Sequence, residues 1–149
     1  MARRADPARI ARLDAVQRVR QAGAEAELAA AKDEEARANT EADARREELI
    51  ANQNLWFDYL GRPAFAPEFA RSIANQLVAS DAAEKNANQR HRLAVQWSEH
   101  CVDGWRLADA RVRATTEQLR SARRAVAARH EERRLAEFAD QVTWDWMTR

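Results

Sequence analysis

Gly61-Arg62-Pro63-Ala64-Phe65-Ala66-Pro67 is the one stretch that forbids this chain a continuous helix, and it holds one of the three glycines and two of the three prolines. Gly61 can take the left-handed conformation that closes a helix C-terminus. Pro63 bars Arg62 from the helical region, and Pro67 suits the first turn of a new helix. The pattern predicts a long helix, a sharp reversal and a longer helix. The stretch offers no Ser, Thr, Asp or Asn to cap the second helix, and Phe65 is expected to pack back between the helix ends.

Outside this stretch the chain has almost no punctuation. Three Gly and three Pro in 149 residues cannot supply the turns of a compact many-element fold. Ala, Glu, Arg, Gln and Leu dominate, and no run of alternating Val, Ile, Thr or Tyr reads as a strand. The expected fold class is all-α: two long helices forming an antiparallel coiled-coil hairpin, a single domain over 1–149. Helix one is expected at about 7–60, the turn at 61–67, helix two at about 67–141 and a C-terminal tail at 142–149. Asp6 reads as the N-cap of helix one, with Pro7 in its first turn.

Basic and acidic residues nearly cancel, 25 against 24, which argues against a general nucleic-acid binder. Their placement is uneven. Residues 1–20 carry six Arg against two Asp, residues 21–105 nine bases against fifteen acids, and residues 106–149 ten against seven, giving +4, −6 and +3. A chain folded back at Gly61 therefore has a basic open end and an acidic turn end. Cys101 is the only cysteine, so a reducing compartment is expected. The start of the chain lacks the apolar core of a signal peptide, and no uncharged apolar run of about 18 residues exists. A soluble, cytoplasmic protein without direct membrane insertion is expected.

Helix one shows a thin heptad seam. One row is Leu28, Glu35, Ala42, Leu49 and Trp56, and its companion is Ala24, Ala31, Ala38, Arg45, Asn52 and Tyr59. Ile10, Leu13, Val16 and Val19 sit upstream on a slightly shifted stripe. Gly23 reads as a close-approach point in a small-residue seam. The charges from Glu25 to Glu48 read as a solvated face with pairs at helical spacing. A helix this poor in large residues needs a closely packed partner.

Helix two supplies one through Trp105, Val112, Leu119 and Val126, flanked by Cys101, Ala108, Thr115 and Ala122. Folding about residue 64 pairs position i with roughly 128 − i, setting Val16 opposite Val112 and Leu28 near Cys101. The stretch from Ser80 to Asn88 is the weakest part of that seam, the expected place for bending. From Ala122 onward helix two has no partner within the chain, yet Leu135, Phe138 and Val142 share a stripe. Exposed apolar residues of this kind signal an interaction.

No catalytic, cofactor-binding or metal-binding constellation is expected. His91 and His100 lie more than two helical turns apart, too far for one metal, and His91 reads as a polar seam residue. No glycine-rich phosphate loop or nucleophile triad is present. Arg120, Arg123, Arg124, Arg129, Arg133 and Arg134 read either as a solvated face or, together with Arg3, Arg4, Arg9 and Arg12, as a docking end for an acidic channel. The expected partner-binding residues are Arg9, Arg12, Arg120, Arg123, Arg124, Leu135, Phe138 and Val142.

The architecture, with an overhanging second helix and both termini at one end, resembles the FliJ and YscO family of the type III export apparatus. Local echoes are Asn52-Gln53-Asn54-Leu55-Trp56, His91-Arg92-Leu93 leading to Trp97, Trp105-Arg106 and Glu137-Phe138-Ala139-Asp140-Gln141. The resemblance implies a non-enzymatic central stalk of a flagellar or virulence secretion system, seated in the hexameric export ATPase. It also implies a contact with the membrane export gate, and a cytoplasmic protein associated peripherally with the inner-membrane export apparatus. The family's gate contact corresponds in position to Phe69, Ile73, Gln76 and Ser80, of which Gln76 and Ser80 depart from the family pattern. Secretion chaperones are a further partner class left open by the resemblance, and nucleic acid is not expected. Two other readings remain open: a scaffolding coiled coil that dimerises through its overhang, and a nucleic-acid-contacting helical hairpin.

Overall fold

A computed structural model describes residues 6–147 of the chain. It holds two helices and, among the described residues, no strand: α1 (Pro7–Leu60, 54 residues) and α2 (Pro67–Met147, 81 residues). The two pack against each other, so the fold is an all-α helical hairpin. Helix α2 extends through Met147 and takes in residues 142–147, expected as a tail. It also runs unbroken through Ser80 to Asn88, where Ser80 and Ala87 are buried instead of forming a weak point.

The start of α1 follows its sequence. Asp6 accepts a hydrogen bond from the Ala8 N–H at 2.9 Å through its side chain, and its carbonyl accepts from Ile10 N–H at 3.1 Å. That is an N-cap followed by proline at the first helical position.

Burial follows an alternation of three and four residues along each helix, uninterrupted on α2 from Ala70 to Ala122 and broken on α1 at Arg45, which is exposed. On α1 the covered positions include Pro7, Ile10, Asp14, Gln17, Gln21, Ala24, Leu28, Ala31, Ala38, Ala42, Trp56 and Tyr59. On α2 they run from Ala70 and Ile73 through Cys101, Ala108, Val112 and Thr115 to Ala122. Val126, expected to continue the row of Val112, is exposed beyond the end of this run. The heptad rows expected from Ala24 to Tyr59 and from Cys101 to Ala122 are therefore the seam, apart from the exposed Arg45. The shifted stripe upstream is not: Leu13, Val16 and Val19 are exposed, and Asp14 is buried in their place. Moving the seam onto Val16 would need an inserted step of three or four residues, which would break the packing of the layers beside it. The proposed pairing of Val16 with Val112 fails for the same reason.

The contacts divide the chain into two compact units, one of residues 24–105 and one of residues 1–23 with 106–149. In the first, the turn is closed by Tyr59. Its ring is buried with Ala70 and Ile73, and Trp56 packs against them. Its hydroxyl accepts from the Ala66 N–H at 2.6 Å and donates to the Ala66 carbonyl at 2.8 Å. The same carbonyl accepts the Ala70 N–H at 3.0 Å, the bond that opens α2. A tyrosine from α1 thus ties down the residue before α2, which has no capping side chain of its own. Phe65, expected between the helix ends, is exposed, with its ring 6.0 Å from that of Tyr59. Gly61 does not adopt a positive φ. The end of α1 instead tightens through Arg62 N–H donating to Tyr59 carbonyl at 3.1 Å.

Along the same unit the seam is lined by small residues, among them Ala31, Ala38, Ala42, Ala87, Ala94, Ser98 and Cys101. Small side chains let two helix axes come close and substitute backbone proximity for bulky packing. The flanks carry ion pairs: Arg45 with Glu48 at 2.8 Å, Lys85 with Asp81 at 2.7 Å and, between helices, Arg90 with Glu41 at 3.4 Å. These exposed pairs are screened by solvent and add little to stability.

In the second unit α1 brings polar side chains, Asp14, Gln17 and Gln21, into the seam. Asp14 accepts from the hydroxyls of Thr115 at 3.0 Å and Thr116 at 2.8 Å, and from Arg18 Nε at 2.8 Å. Gln21 donates to Asp109 at 2.9 Å. Gly23 is exposed, and a Cβ built on it would meet nothing within 4 Å, so it is no close-approach point.

Candidate docking surface

Charge separates along the boundary between the units. Residues 24–105 hold nine bases and fifteen acids, and the remaining residues sixteen bases and nine acids, giving −6 and +7. Four arginines of the second unit meet at one groove of about 470 Å³, lined by Asp14, Arg18, Thr116, Leu119, Arg120, Arg123 and Arg124.

The arginines of this groove differ in freedom. Arg18 is held by Asp14 and reaches Thr116 through Nη2 at 3.2 Å. Arg120 pairs with Glu117 at 3.3 Å. No carboxylate lies within 4.0 Å of the guanidinium of Arg123 or Arg124 among the described residues, so both can accept an external anion. Asp14 at the base of the groove stays ionised, because hydrogen bonds from Arg18 and Thr116 hold its carboxyl below the ordinary range. Its charge is taken up by those donors and by Thr115.

Arg9 and Arg12 are exposed on the first turns of α1 and do not line this groove. Arg3 and Arg4 lie outside the described residues. A second groove of about 350 Å³ lies beside Ile10, between Gln118, Ala122 and Arg129. Beyond Ala122 every described side chain of α2 is exposed, Leu135, Phe138 and Val142 included. The overhang expected from the register is therefore present as a helical segment whose described side chains are all exposed.

The four residues carried over from the export-gate contact are not on one surface. Ile73 is 2% exposed, the most completely enclosed large side chain of the core, and Ser80 is buried with its hydroxyl on the Leu77 carbonyl. Neither can touch a partner while the helices stay packed. Phe69 is half-exposed, set edge-on to Tyr59 at 5.1 Å, and Gln76 is exposed. Phe57, Leu60 and Phe65 are also exposed near the turn, and sequence reasoning passed over Phe57 and Leu60. Their signal was present in that neither falls on a seam row.

His91 is partly covered on the seam, whereas His100 and His130 are exposed. Among the described residues no helix is long and apolar enough to cross a membrane. No protein-family model, curated protein or solved structure matches the chain.

Proposed function

We propose that this chain is a non-enzymatic docking stalk whose basic unit engages an acidic partner, and that the partner is the hexameric ATPase of a type III protein export apparatus. One observation carries the docking half. Arg123 and Arg124 stand unpaired at a groove, in a unit of net charge +7, where α2 leaves the hairpin and becomes exposed all round. The ATPase is inferred from the likeness of the two-helix architecture to the FliJ and YscO family. In this scheme Leu135, Phe138 and Val142 supply most of the affinity. Arg9, Arg12, Arg120, Arg123 and Arg124 orient the approach and raise the association rate. Phe69 and Gln76 are the residues left to meet a membrane export gate, since Ile73 and Ser80 are enclosed. The protein would then act in the cytoplasm, attached peripherally to the inner-membrane export apparatus.

The test is the kinetics of full-length chain binding to a purified export ATPase hexamer at low and high salt. Arg123→Glu with Arg124→Glu lowers the association rate by about tenfold at low salt and flattens its salt dependence. Phe138→Ala raises the dissociation rate and leaves association unchanged. A wild-type chain that does not bind the hexamer, or variants that bind as wild type does, would overturn the proposal.

A further inference from the structure

Leu13, Val16 and Val19 stand outside the seam, so the packing of the hairpin gives no reason for them to be apolar. Residues 8–23 can be placed around α1 at about 100° each. With Ile10 at zero, Leu13, Arg20, Arg9, Val16, Arg12 and Val19 fall within an arc of about 120°, and no carboxylate of this segment shares it. Arg18 lies about 80° to the other side of Ile10 and reaches Thr116 at the groove. On α2 the same construction sets Thr116 on one side of the seam and Leu107, Ala110, Arg111 and Ala114 on the other. The contact of Arg18 with Thr116 fixes which flanks meet, so the arc of α1 and that side of α2 form one face of the second unit. Arg9, Arg12, Arg20 and Arg111 are exposed on it, and none of them pairs with a carboxylate among the described residues. The acids of residues 8–23 and 106–122 lie elsewhere: Asp14 is in the seam, Asp109 accepts from Gln21, and Glu117 pairs with Arg120 at the groove.

We propose that this face binds the anionic surface of a lipid bilayer, lying along it without crossing it. Four guanidiniums meet the phosphate headgroups with no acid on the face to repel them. Leu13, Val16, Val19 and Leu107 enter the boundary between headgroups and acyl chains. Arginine and aliphatic side chains alternate across the face, and no apolar centre stands inside a charged rim. A protein partner calls for that centre and rim, and its energetic anchors are commonly aromatic, whereas residues 8–23 and 106–122 contain no aromatic side chain. Interleaving suits a bilayer, because each arginine stem can lie along the aliphatic surface while its guanidinium rises to the phosphates. Four aliphatic side chains are too few to hold the chain on a neutral membrane. Binding therefore depends on the charges, weakens with salt and is reversible. The groove and the overhang, assigned above to docking, take no part in it, and only Arg9 and Arg12 are shared.

The test needs only the full-length chain and vesicles, which keeps it independent of any ATPase. Co-sedimentation with mixed phosphatidylglycerol and phosphatidylcholine vesicles shows binding that is absent with phosphatidylcholine alone and is lost at about 0.5 M salt. Arg9→Gln with Arg20→Gln weakens binding about 25-fold, at about fivefold for each arginine. Val16→Ser with Val19→Ser weakens it about tenfold. Both variants keep wild-type helicity and melting, since all four side chains are exposed. Arg123→Gln with Arg124→Gln changes binding by no more than about threefold, because the body of the hairpin holds those charges off the bilayer and salt screens them over about 10 Å. Failure to bind the phosphatidylglycerol vesicles, equal binding to neutral ones, or a loss with Arg123 and Arg124 as large as that with Arg9 and Arg20 overturns the proposal. Capture of the chain by polyglutamate but not by the vesicles also overturns it, and assigns the face to an acidic protein.

Discussion

The hydroxyl of Thr115 on α2 donates to the Asp14 carboxylate of α1 at 3.0 Å, and this contact records the phase in which the helices meet. The two positions add to 129, as do Tyr59 and Ala70 in the core by the turn. One register thus serves both units, one residue away from the pairing that a fold about residue 64 suggests. Asp14 enters the seam because Thr115, Thr116 and Arg18 together meet its charge. A buried carboxylate without such donors would be excluded.

Acid should loosen this part of the hairpin. The Arg18 hydrogen bond, followed by that of Thr116, holds the Asp14 carboxyl below its ordinary value of about 3.8. A lowered folded-state value means that the stabilisation is fully present above the unfolded value and is lost as pH falls through the folded one. Urea denaturation below about pH 3.8 should show stability falling for wild type and falling less steeply for Asp14→Asn. That variant should already be the weaker at pH 7.

Gln17 keeps a buried side-chain oxygen with no hydrogen-bond partner, and the register sets it opposite Val112. Such a group carries its desolvation cost uncompensated. Gln17→Leu should raise stability by about 1–2 kcal/mol. An unchanged or lowered unfolding midpoint would show that the amide oxygen finds a partner in solution.

Tyr59→Phe separates the cap from the core. The ring remains to pack on Ala70 and Ile73, but both hydrogen bonds to Ala66 are lost. The expected cost is about 1–2 kcal/mol. Amide exchange should quicken first at Ala66 and Ala70, whose N–H groups open α2, and exchange confined elsewhere would place the cap with another residue.

The seam phase is tested by two charges. Val19 is 73% exposed, and Val19→Asp should change stability by no more than about 0.5 kcal/mol. Ala31 is fully enclosed, and Ala31→Asp should cost about 3–5 kcal/mol, the scale of an unpaired buried charge. A cost at Val19 as large as that at Ala31 in thermal melts would place the apolar stripe of Leu13, Val16 and Val19 in the seam.

Much of the fold was legible along the chain. Asp6 and Pro7 marked the start of α1, Pro63 and Pro67 bounded the reversal, and the Ala-rich rows from Ala24 to Tyr59 lay where burial finds them. The exposed overhang followed from counting residues on either side of the turn. The candidate docking surface was legible as composition, in Arg120, Arg123 and Arg124, but not as geometry. Their different freedom depends on Glu117 and on the absence of a carboxylate beside the other two. The export-gate residues carried over by resemblance divided for a similar reason, since Ile73 and Ser80 lie on the seam rows whereas Phe69 and Gln76 lie beside them.

By itself the sequence determined the two helices, their turn and the seven-residue spacing of the seam, because propensity, capping and periodicity act among residues a few positions apart. Tertiary structure alone decided that Asp14, and not Val16, enters the seam, and that Tyr59, and not Phe65, fills the turn. Whether a polar side chain can be buried depends on the donors that face it. For Asp14 two of those donors lie 101 and 102 residues away, beyond the reach of any local pattern.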